Sequence, residues 1–134
     1  ESPLLLEDQA LVARAALDSY EASSEQAYLV LSITLVKAIL DKFRTEDGGM
    51  QDRYPENEAP LSPVVDRLVP SGIGIVVQVL SRLHAYDPQG GYKGACKAIL
   101  EGLVYSDGIA FCGGLSRGIL LYIRADGREI GLPN

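Results

Sequence analysis

The segment Val69-Pro70-Ser71-Gly72-Ile73-Gly74, set just before the largely apolar run Ile75 to Leu80, carries the residue types of a phosphate cradle. Small residues leading into a helix leave backbone N–H groups free to hold an anion. Spacing decides whether a nucleotide site follows. A P-loop needs Lys after its last glycine, and none follows Gly74; a dinucleotide-binding turn needs G-x-G-x-x-G after a strand, and position 77 is Val. The preceding "APLSPVV" has prolines at 60 and 63, which a central strand does not accept. The stretch therefore reads as a helix start: Pro70 stops the loop, Ser71 is the expected N-cap, and Gly72 and Gly74 allow close packing.

The remaining reactive side chains give no metal or redox pattern. Cys96 and Cys112 form neither a C-x-x-C pair nor a zinc motif, and His84 is the single histidine, so neither a metal site nor a cofactor is expected. A disulfide between the two cysteines has no sequence support, and a thiol on an apolar helix face behaves as a small hydrophobe. His84 has only Asp87 within helical reach and reads as packed or surface imidazole. A net charge of −6 with twelve scattered Lys and Arg argues against nucleic acid or an anionic membrane as partner. No apolar run of about eighteen residues is free of charge, and "ESPLLLED" lacks the features of a signal peptide, which leads to the expectation of a cytoplasmic chain.

The elements that hold these residues are mostly helices, and 134 residues at 47% hydrophobic content suit a single domain. In "DQALVARAALDSYEA", Asp8 to Ala22, the charges at Arg14, Asp18 and Glu21 mark one narrow polar stripe. "SEQAYLVLSITLVKAILDKF" follows, with Ser24 as the expected N-cap and Thr34, Lys37, Asp41 and Arg44 as its polar line. Together they predict an αα-hairpin over 7–44. Asp47-Gly48-Gly49 and three prolines then predict a loop over 45–70, long enough to rim a site.

A second hairpin is expected over 71–105. Its first helix is rich in β-branched residues, yet Gly72 to Tyr86 is too long for a strand. In its second, Tyr92, Ala95, Cys96, Ile99, Leu100 and Leu103 share one face while Lys93, Lys97 and Glu101 face away. The two hairpins look like a repeat: "KAIL" recurs 60 residues apart, at Lys37 and Lys97, and Leu17-x-x-Tyr20 is echoed by Leu83-x-x-Tyr86. The tail, 106–134, predicts a short helix ended by Gly113-Gly114 and a strand over "GILLYIRADGREIGL" with a turn at Asp126-Gly127. That strand needs a partner, in a small hairpin or in another subunit.

Four stretches, "LLLEDQALVARAALDSYEAS", "LDKFRTEDGGMQD", "VVDRLVPSGIG" and "LSRLHAYDPQGGYKGACKAIL", taken in order, resemble the C-terminal part of the family of YyaL and spermatogenesis-associated protein 20. That family joins a thioredoxin-like domain to a six-hairpin, glycosidase-like α/α toroid. The resemblance covers the chain to about Leu103. It implies a mainly α fold of αα-hairpins of the α/α-toroid type, here with a short C-terminal β-strand or hairpin. Two departures stand out: Ile73 replaces the Asn usual after Pro-Ser-Gly, and only two of six hairpins are present. Open lateral faces lead to the expectation of a homo-oligomer, or of a fragment of a longer chain.

The resemblance also implies binding or processing of a carbohydrate-like small molecule, a reading by analogy of fold. The matched candidates are Asp8, Asp52 and Asp66 as catalytic carboxylates, with Glu7, Tyr54 and Arg67 as substrate-binding residues. Two carboxylates at a suitable separation serve as acid and base in glycosidic cleavage or epimerisation. Each candidate has a structural reading beside it. Asp8 suits an N-cap and Glu7 a helix dipole, Asp52 sits in a charged loop, and Asp66-Arg67 suits an exposed ion pair. The alternative function is a non-catalytic helical module acting through oligomerisation or partner binding.

Overall fold

The structure is a computed structural model, and it describes residues 4–46, 49–51, 53–54 and 72–104. Among these the chain is mainly helical. Its elements are β1 (Leu4–Leu5), α1 (Leu6–Ser23), α2 (Gln26–Phe43), β2 (Arg53–Tyr54), α3 (Gly72–Tyr86) and α4 (Tyr92–Val104). The expected tail helix and strand, Cys112 and the Ser71 cap lie outside the described residues, as do Asp52, Asp66 and Arg67.

Helix α1 packs on both α2 and α3 and buries the small and apolar residues Ala10, Ala13, Ala16 and Leu17. The fully buried hydroxyl of Ser32 donates to the Ala13 carbonyl at 2.9 Å, so the one polar side chain of α2 in the core is satisfied across the helix pair. The connection is tight. Ser24 adopts a left-handed conformation, φ 61°, and its N–H bonds the Tyr20 carbonyl at 2.7 Å. This corrects the sequence reading, because Ser24 closes α1 and Glu25 stands at the N-cap of α2 without a side-chain hydrogen bond. The polar line Thr34, Lys37, Asp41 and Arg44 is exposed as expected.

The end of α2 is sealed by the chain that follows it. The Gln51 N–H bonds the Phe43 carbonyl at 2.8 Å and its side-chain amide bonds the Lys42 carbonyl at 3.1 Å. Two carbonyls that a helix end leaves without partners are thereby satisfied. Within the segment expected to be loop, Arg53–Tyr54 pairs antiparallel with Leu4–Leu5, Tyr54 opposite Leu4 and Arg53 opposite Leu5. Two-residue strands carry no periodicity, so their spacing does not announce them.

Helix α3 is buried from Gly72 through Ser81 and again at Leu83. A helix apolar on all sides belongs inside a core, and that explains a composition that also suits a strand. It runs parallel to α1, start beside start: a Cβ on Gly72 would lie 3.0 Å from Leu6 Cγ and 3.2 Å from the Glu7 backbone nitrogen. Their far ends also meet, Arg82 and Tyr86 of α3 reaching Asp18, Tyr20 and Glu21 of α1. The helix starts Leu6 and Gly72, like Gln26 and Tyr92, are 66 residues apart. Leu17 and Leu83, and Tyr20 and Tyr86, keep this 66-residue register; the two "KAIL" stretches, 60 apart, do not and fall at different turns of α2 and α4.

Helix α4 buries Tyr92, Cys96 and Ile99 and exposes Lys97 and Glu101, as its spacing predicts. Gly91 holds the turn before it at φ 77°, and the Tyr92 hydroxyl donates to Asp87 Oδ2 at 3.3 Å. Loss of solvent, with the Asp87 carboxylate beside it, raises the Tyr92 pKa above the ordinary phenol value. Among the described residues no helix is long and apolar enough to cross a membrane.

Candidate functional site

Two ends of the α1–α3 pair gather polar groups. At the first, α1 begins without a side-chain cap: Leu5 is the N-cap, in extended conformation, and Glu7 and Asp8 occupy the first turn. Asp8 thus lies three residues past the N-cap, too deep for the capping role that its residue type suggests. The two carboxylates instead complement the positive end of the helix dipole. Asp8 is exposed and Glu7 half-buried, while Leu6 between them and the strand is fully buried. The β1–β2 pairing sets Arg53 and Tyr54 alongside Leu5 and Leu4, directly ahead of these carboxylates. Gly72, at the start of α3, abuts Leu6 and the Glu7 nitrogen. Of the expected site residues, then, Glu7, Asp8 and the Tyr54 backbone share one end of the stack.

At the opposite end lies a cluster that the sequence reading did not single out. Arg82 Nη2 donates to Asp18 Oδ1 at 2.6 Å and to Glu21 Oε2 at 2.7 Å, and its Nε donates to Glu21 Oε1 at 3.4 Å. The Tyr86 hydroxyl donates to the same Glu21 Oε1 at 3.0 Å, and its ring meets the edge of Tyr20 with centroids 5.2 Å apart. Loss of solvent opposes the charge on Arg82, and its hydrogen bonds to Glu21 and Asp18 outweigh that, leaving its pKa raised. Loss of solvent and the hydrogen bond to Glu21 raise the Tyr86 pKa as well. The sequence signal was present but divided. Asp18 and Glu21 read as a solvated stripe on α1, and only the Leu-x-x-Tyr echo at 17 and 83 hinted that Arg82 would stand beside them.

This cluster clasps two hairpins, and its strength is measurable. A double-mutant cycle on Arg82→Met and Glu21→Gln is expected to give a coupling of about 1 kcal/mol, at the upper end for exposed pairs because the fork is bidentate. The coupling should shrink in high salt, as screening of exposed charges requires. A coupling near zero at low salt would remove the clasp from the forces that join α1 to α3.

The sulfur and imidazole chemistry is quiet. Cys96 is a free thiol, buried 3.6 Å from the Ser81 hydroxyl, which itself donates to the Val77 carbonyl at 2.8 Å. Burial pushes its pKa from 9.0 up to about 11, only partly offset by Ser81. A raised thiol pKa means less thiolate at any given pH, here about a hundredfold less near pH 8, and the thiolate is the reactive form. Iodoacetamide labelling at pH 8, mapped by peptide mass, is expected to spare Cys96 in the folded chain and modify it in urea; fast labelling when folded contradicts this burial. His84 has its Nδ1 shielded from solvent without a hydrogen-bond partner, and Asp87 bonds Tyr92 instead. Among the described residues no group of three or more His, Cys, Asp or Glu could hold a metal ion.

No protein-family model matches the chain, and no curated protein matches it either.

Proposed function

We propose that the chain forms part of an α/α toroid of the kind its sequence resembles, and that the end where α1 and α3 begin binds a carbohydrate-like small molecule. The observation that carries this reading is the β1–β2 pairing, which sets Arg53 and Tyr54 beside the residues that lead into Glu7 and Asp8. Positions far apart in sequence thereby share one end, and two of them are carboxylates held at a helix start. Asp8, exposed, and Glu7, half-buried, accept hydrogen bonds from ligand hydroxyls. Cleavage or epimerisation would need a second carboxylate as acid–base partner, the role proposed for Asp52 or Asp66, with Arg67 binding substrate.

Calorimetric titration with a panel of neutral sugars and sugar phosphates tests this. At least one is expected to bind, and Asp8→Asn to weaken it tenfold or more, equivalent to about 1.4 kcal/mol. Glu7→Gln is expected to weaken it less, since its carboxylate is less open to ligand. A panel without any binder, or binding indifferent to both substitutions, defeats the proposal.

A second reading is favoured by one observation. Tyr28 and Leu31, three residues apart and so on one face of the first two turns of α2, are 42% and 44% exposed. Scattered apolar residues are ordinary on a surface, whereas large ones adjacent on one helix face offer a contact. On this reading the chain is a non-catalytic helical module that pairs with a second copy of itself through α2. Light scattering should show an oligomer that Tyr28→Lys with Leu31→Glu dissociates; a monomer at every concentration excludes it.

A further inference from the structure

We draw no further inference here: the strongest candidate, the exposed side-chain cluster of Asp18, Glu21, Arg82 and Tyr86 joining the ends of α1 and α3, has its charged groups paired with one another, and nothing in the structure points to a ligand for it.

Discussion

Leu17→Ala and Leu83→Ala are each expected to lower the unfolding free energy by about 2–5 kcal/mol, the range for truncating a leucine in a packed core. Both side chains are fully buried, one near the end of α1 and one near the end of α3, in equivalent places 66 residues apart. Each loses the transfer free energy of three carbons and leaves a cavity. The helices around each site are also tied, by the Arg82 clasp at their ends and by Ser32 to Ala13 across α1 and α2, so neither site collapses freely. Urea denaturation followed by circular dichroism measures both costs, with m-values unchanged if unfolding stays two-state. Equivalent burial demands losses of similar size. A full cost at Leu83 beside a cost under about 1 kcal/mol at Leu17 would show that the two hairpins do not share a core.

The helices were legible because their apolar residues recur at helical spacing. The reading of α1 over Asp8–Ala22 became Leu6–Ser23, and α3 spans Gly72–Tyr86 as its length suggested. The run Ile75-Val76-Val77-Gln78-Val79 favours a strand locally, but burial on every side makes side-chain packing, not propensity, decide. What spacing did not reveal are contacts without a period. The β1–β2 ladder is two residues long, and the cap positions around Ser24 and Asp8 depend on backbone angles that residue type leaves open. Residue type made Ser24 an N-cap; the backbone made it a left-handed closure. The repeat was visible, though one of its two clues had the wrong register, since a four-letter match weighs little against the Leu-x-x-Tyr echo at 66.

For the candidate site, the sequence placed Glu7 and Asp8 at a helix start, and the structure agrees on the turn while correcting the cap. It could not place Tyr54 near them, because strand pairing across more than forty residues leaves no mark in local spacing. The same limit hid the Arg82 clasp. The two ends of the α1–α3 pair thus differ in what joins them: side-chain charge at one, and backbone proximity, through Gly72 and Leu6, at the other. Charged forks tolerate small shifts by turning their side chains. Close backbone contact does not.

That difference makes Gly72→Val the sharpest structural test of the proposed site. A Cβ at this position would stand 3.0 Å from Leu6 Cγ and 3.2 Å from both Leu6 Cδ2 and the Glu7 backbone nitrogen. For alanine, both the Leu6 side chain and the Glu7 nitrogen must yield by a few tenths of an ångström, and the lower entropy of the unfolded chain offsets part of that strain. Valine adds two further carbons where the Glu7 nitrogen, fixed in α1, cannot move alone. The starts of α1 and α3 must then separate, at a cost of about 1–3 kcal/mol and a fall in Tm on the order of 5 °C, whereas Gly72→Ala, with the Cβ contacts alone to relieve, costs less. Gly94, with nothing within 4 Å of its would-be Cβ, supplies the control, and its change to Ala is expected to stabilise α4 by about 0.5 kcal/mol. The clasp at Arg82 lies ten residues along α3, about 15 Å away, so its coupling to Glu21 should persist in Gly72→Val. Ligand binding at Glu7 and Asp8 should not, because the substitution moves the helix start that holds them. Full sugar affinity in a Gly72→Val chain that is measurably destabilised would place the ligand elsewhere than at the junction of α1 and α3.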